Sequence, residues 1–235
     1  MSPLPQPISV SLLTDATWTE LADTLRTPRV LVVPIGSCEQ HGPHLPLDTD
    51  SRIACAVAAG LSSARPEVLI APVLGVTASG EHRGFAGTLS IGVAVLEMVL
   101  IELVRSADWS AGVVFVNGHG GNTAAVNAAV EVLRGEGRRV LAWWPRIDDG
   151  DAHAGRTETS LILAISPEMV RLHAASPGRT EPLAELLAEL RSGGVAAVSP
   201  NGVLGNPANA TAAEGSRLLN SLVHDLVDRF DAWVR

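Results

Sequence analysis

Four short apolar runs, each opening into a polar loop and followed by a helical pattern, constrain this chain more than anything else in it. They are Val30 to Ile35, Val68 to Val76, Gly112 to Val116 and Arg139 to Trp144. Their length, β-branching and flanking turn residues read as buried parallel strands, which need crossover connections. Helical patterns supply them: Ser51 to Ala64, Ser90 to Ala107 with Ser90 as N-cap, and Thr123 to Gly135 with Gly135 as C-cap. Further on, Arg156 to Ile165 stops before Ser166-Pro167, Glu181 to Arg191 ends at Gly193-Gly194, and a last helix runs from about Ala212 to Val234. The expectation is an α/β fold in three layers, a mostly parallel sheet covered by helices on both faces, as a single domain over residues 1–235.

With 235 residues, 46 % of them hydrophobic, the chain can build one large core. A net charge of −8 argues against nonspecific nucleic-acid binding. Cys38 and Cys55 form no CxxC pair, so a reducing cytosol is the default. The start, Met1 to Pro7, has three prolines and neither the basic nor the apolar region of a signal peptide. Apolar stretches are too short or too charged to span a bilayer. These readings predict a cytoplasmic protein with no nucleic-acid or membrane partner.

Chemistry gathers where the strands end. After the first strand, Gly36 to Asp50 holds Cys38, Glu39, His41, His44, Asp48 and Asp50. Charges crowding a buried strand end are costly unless paired, and a divalent metal is the simplest partner. Glu39 and His41 are two apart, so in an extended segment they point the same way. Asp50 arrives just before a helix, where one oxygen on each of two ions would let it bridge them; Asp48, Thr49 or Asp50 also suits a helix cap. After the third strand, Asn117-Gly118-His119-Gly120-Gly121-Asn122 projects His119 from a glycine-rich turn. A dinucleotide loop is the rival reading, but Thr123 stands where its third glycine belongs. Asp151 to Ser160 adds His153 at a helix start with Glu158 beyond it: a proton shuttle and one more carboxylate. Ser79 to Thr88, with Glu81 and His82, suits either a substrate pocket or a subunit contact. His173 and His224 fall in helical patterns and carry no assigned role.

Gly36 to Leu47 with Asp50, then Asn117 to Asn122, then His153-Ala154-Gly155 with Glu158-Thr159-Ser160 resemble, in order, the motifs of the creatininase family of metal-dependent amidohydrolases. The resemblance covers nearly the whole chain. It implies two divalent ions (Zn, Fe or Mn), one held by Glu39, Asp50 and His119 and the other by His41 and the bridging Asp50, with His153 as the catalytic histidine. Creatinine-hydrolysing members carry a glutamate two residues after the motif-two histidine, where this chain has Gly121, and Glu158 is the candidate replacement. The stretch Leu45 to Ala54 and Ala78 to His82 are most similar to a peptidase branch that releases the modified Val-Tyr end of a ribosomally made precursor peptide. A small cyclic amide or formamide is the alternative substrate. Family members form homo-oligomers, hexamers among them. A nucleotide-binding module and a non-catalytic metal-binding or assembly protein are the readings from other classes.

Overall fold

A computed structural model describes residues 12–23 and 29–235; the proline-rich start lies outside them. Among the described residues four strands form one parallel sheet: β1 (Val30–Ile35), β2 (Val68–Ile70), β3 (Gly112–Asn117) and β4 (Val140–Trp143), in the order β2-β1-β3-β4. β1 pairs with β3 along its whole length, from Val30 opposite Gly112 to Ile35 opposite Asn117. The helices are α1 (Trp18–Asp23), α2 (Thr49–Ala64), α3 (Val93–Ser106), α4 (Thr123–Gly135), α5 (Arg156–Ile165), α6 (Leu183–Val198) and α7 (Ala212–Val234).

Strand side chains alternate between faces, and the core divides accordingly. Val30, Val32, Val114 and Val116 pack with Ile53, Val57 and Leu61 of α2, Leu161 of α5, and Leu222, Leu226 and Phe230 of α7. Leu31, Val33, Ile35 and Phe115 pack with Leu96 and Leu100 of α3 and with Val126, Ala129 and Leu133 of α4. This is the expected three-layer sandwich. No helix among the described residues is long and apolar enough to cross a membrane.

Four local expectations need correction. β2 stops at Ile70 rather than Val76: Pro72 has no N–H for the ladder, and only an isolated Ile35–Leu74 bridge continues the pairing. Ser90 does not cap α3, which starts at Val93; its hydroxyl accepts instead from the Ser79 and Gly92 N–H groups, tying the preceding loop together. Gly135 is still helical, and Glu136 is the C-cap. α6 does not end at Gly193-Gly194. Gly194, at φ 71°, kinks it, and the helix resumes so that Val195 and Val198 join Leu186 and Leu204 in a small third core. A side chain at Gly194 would also meet the Glu81 carbonyl at 2.7 Å, so glycine lets α6 close over the Glu81 loop.

From β1 the chain crosses to β2 on one side, and from β3 to β4 on the other. Neighbouring strands that diverge in this way open a crevice at their carboxyl ends. The polar loops after β1, β2, β3 and β4 all meet there.

Candidate active site

Hydrogen bonds lock these loops to one another before any ligand is considered. The Asn122 side chain donates to Gly36 O and Asn117 Oδ1 and accepts from the Ala78 N–H, joining the loops after β1, β3 and β2. Thr77 Oγ1 donates to Gly36 O at 2.7 Å, and Ser51 Oγ to Ser37 O at 3.1 Å. Donors and acceptors so fully paired hold the functional side chains in place.

Glu39 is wholly buried, with Oε2 3.1 Å from His119 Nε2 and Oε1 3.2 Å from His82 Nε2. Neither oxygen is aligned to accept a hydrogen bond. Asp50, in the first turn of α2, sits between two imidazoles: Oδ1 is 3.2 Å from His41 Nε2 and Oδ2 3.2 Å from His119 Nδ1. Ser37 Oγ also donates to Asp50 Oδ2 at 2.8 Å. Glu158, in the first turn of α5, lies 3.9 Å from His41 Nε2, and its Oε2 accepts the Ala154 N–H at 2.6 Å. Backbone pairing between His153 and Leu204 places the His153 ring 4.3 Å from that of His41, with Nδ1 4.0 Å from Glu39 Oε1. Two donor groups therefore share Asp50, one with Glu39 and His119, the other with His41 and Glu158. Within each, the donor atoms all lie within 4.8 Å of one another; Glu39, His41 and His153 form a third such group.

The electrostatics follow from packing carboxylates together out of water. Burial and the neighbouring Asp50 charge push Glu39 up to about 8. Burial raises Glu158 to about 7. Burial alone would also raise Asp50, but His41 and His119 hold it well below the usual range. His41 is pulled down by burial, yet Asp50, Glu158 and Glu39 together lift it to about 9, and His119 is raised for the same kind of reason. Burial holds His153 well below its ordinary value, helped by the charge on His41. The field that keeps protons on His41 and His119 also attracts a divalent cation, which displaces them. Together with the unpartnered Glu39 oxygens, this carboxylate–imidazole set fits divalent metal.

Other expected positions sort themselves by geometry. A side chain at Gly121 would overlap Glu81 Oε1 and His119 Nε2, so the carboxylate of Glu81 fills the space from which a glutamate at position 121 would start. Glu81 Oε1 lies 3.4 Å from His119 Nε2, and the sequence left this loop undecided. His44 is buried and bonded to Thr159 Oγ1, supporting the loop from behind. Asp48 pairs with Arg52, away from the centre, and gives no side-chain cap to α2. His173 and His224 are exposed. His119 faces carboxylates, surroundings that repel the phosphates of a nucleotide. Gln40 stands between Glu39 and His41 with no charge to mark it, yet its amide touches both His82 and His153. Above the centre opens a cavity of about 760 Å³. Glu81, His82, His119 and His153 line it on one side, and Leu183, Leu187 and Leu190 of α6 on the other. A second, of about 900 Å³, shares Ala152, Leu183 and Leu204 with it.

A parallel α/β sandwich with a buried carboxylate–imidazole centre at its strand ends is a frame that suits a hydrolase. The family model for creatininase, creatinine amidohydrolase, matches residues 14–230, and the chain belongs to that family of hydrolases. Among its relatives is the mycofactocin precursor peptide peptidase of Mycolicibacterium smegmatis, 53 % identical over 87 % of this chain and 85 % of that protein. The protein of the same name from Mycobacterium tuberculosis is 50 % identical over 96 % and 92 %. A solved creatinine amidohydrolase superposes with a TM-score of 0.77 at 25 % identity, covering 94 % of this chain and 96 % of its own.

Proposed function

We propose that this chain is a peptidase of the mycofactocin precursor peptide, releasing its modified Val-Tyr end. The observation that carries this reading is identity of 50–53 % with peptidases of that name along most of both chains. The cleft supports it: about 760 Å³ walled by leucines suits an apolar peptide end. The alternative, a small cyclic amide or formamide, would leave most of that wall unused.

In this reading Glu39, Asp50 and His119 would hold one divalent ion, and His41, Asp50 and Glu158 would hold the other. Zn, Fe or Mn all suit such ligands, and solved creatininases include a Zn-Zn form and a manganese form. Ions bound there would supply a water of lowered pKa and polarisation of the scissile carbonyl. His153, neutral because it is buried, accepts a proton at Nδ1 and passes it to the departing amide nitrogen. Ala154 and Ser37 orient Glu158 and Asp50 through the bonds described above. The leucines of α6 pack against the peptide and keep water away.

The protein is further read as one domain over residues 1–235, acting in the cytoplasm as a homo-oligomer. α3 turns Val95, Met98 and Val99 outward on one face, with Met98 66 % exposed, and a surface of that kind favours self-association. Incubation of the metal-loaded protein with the modified precursor peptide, followed by mass spectrometry, should release the terminal fragment. Stoichiometric metal without any cleavage would instead favour a non-catalytic metal-binding protein.

A further inference from the structure

Gln40 is buried between two proposed ligands, and its amide has no freedom left. Oε1 accepts the Gly42 N–H at 2.8 Å. Nε2 lies 3.0 Å from Gly202 O, 2.9 Å from His82 Nδ1 and 3.0 Å from His153 Nε2. A donor at one end and a carbonyl at the other fix which way the amide points. Its two protons must then choose among three neighbours. One goes to Gly202 O, which can only accept. His153 Nε2 lies 2.9 Å from the backbone oxygen of Gln40, which also can only accept, so that nitrogen carries a proton and takes none from the amide. The second amide proton goes to His82 Nδ1, which must present a lone pair. Both imidazoles are therefore protonated at Nε2. Nδ1 of His153 is turned toward Glu39, and Nε2 of His82, which carries its proton, lies 3.2 Å from Glu39 Oε1 without being aligned on it.

We propose that Gln40 is a positioning residue that fixes the tautomers of His82, through its side chain, and of His153, through its carbonyl, so that His153 turns Nδ1, and His82 its protonated Nε2, toward Glu39 and the reaction. The catalytic consequence rests on the proposed role of His153; the tautomer lock does not. Gly202 completes the device. At φ 79°, a side chain there would overlap the Gln40 amide, so only glycine lets the carbonyl close on it.

Imidazole ¹⁵N spectra of the Zn-loaded protein test this, with signals assigned through His82→Gln and His153→Gln. In the unmodified protein both residues should show a protonated, pyrrole-type Nε2, and His82 a bare, pyridine-type Nδ1. In Gln40→Glu the carboxylate can only accept, so His82 should gain a proton at Nδ1 while His153 keeps its pattern. Zn content should stay the same and peptide turnover fall about 10–100-fold. Gly202→Ala, which displaces the amide from the other side, should release His82 Nδ1 from its donor and move that nitrogen's signal. A proton on His82 Nδ1 or a bare His153 Nε2 in the unmodified protein overturns the lock, and that measurement needs neither Gln40→Glu nor Gly202→Ala to fold. An unaltered His82 in a folded Gln40→Glu also overturns it. Full turnover despite a shifted His82 overturns the part that the His82 lock plays in catalysis. A protein that shows the tautomers but leaves the peptide intact refutes the substrate reading alone.

Discussion

Replacing Glu39 with Gln should stabilise the metal-free protein while removing the stabilisation that a bound cation provides. Glu39 is 0 % exposed, and burial with the nearby Asp50 charge moves its carboxyl from 4.5 to about 8. Between those values the unfolded chain carries the charge and the fold keeps the proton. Stability therefore falls as pH rises from 4.5 and levels off above about 8. pH 7 lies about 2.5 pH units above the unfolded carboxyl's 4.5 while the folded one still holds its proton, a cost of about 1.4 kcal/mol for each pH unit. The isosteric amide escapes that cost, so urea unfolding in EDTA at pH 7 should find Glu39→Gln more stable by about 3 kcal/mol. The gain should shrink to nothing near pH 4. With Zn in large excess the order should reverse, because a cation at a thousand times its Kd adds about 4 kcal/mol to the native state only where the site can bind it. An EDTA-treated Glu39→Gln less stable than the parent at pH 7, or equally stabilised at pH 4 and pH 7, would refute the reasoning.

Ligands and proton carrier should separate by elemental analysis: His119→Ala should lose metal, whereas His153→Ala should keep it and lose about 10²–10⁴ in turnover. Gly121→Ala, forced against Glu81 and His119, should weaken Zn binding about 10–100-fold, while Gly120→Ala, with open space at its Cβ, should bind Zn as the parent does. Equal Zn titrations for the two glycine variants would contradict the crowding at Gly121. Leu187→Asp should raise KM for the peptide about tenfold, the loss of roughly 1–2 kcal/mol of apolar contact. Because Leu187 is 38 % exposed, the melting temperature should hardly move; an unchanged KM would take the peptide off this wall.

Local pattern carried much of the fold. β1, α5 and α7 lie where periodicity and turn residues put them, since an apolar run or an amphipathic stripe between breakers leaves few alternatives. Boundaries failed where a distant partner intervened: Ser90 gave up its helix to hold Ser79, and the two halves of α6 joined across Gly194 because each had core to bury. At the site, residue types announced chemistry through their crowding. Gln40 did not, since an amide has no charge to signal its importance.

By itself the sequence determined a parallel α/β chain with carboxylates and imidazoles at its strand ends, because strand alternation and residue type are local properties. Only the tertiary structure decided how those groups combine. Strand order made β1 and β3 neighbours, so Asp50 falls between His41 and His119 although they are far apart in the chain. Folding also filled the space beside Gly121 with Glu81 and set Gln40 against two histidines at once. Distances, tautomers and shifted pKa values belong to groups brought together out of water, and no single segment of the chain contains them.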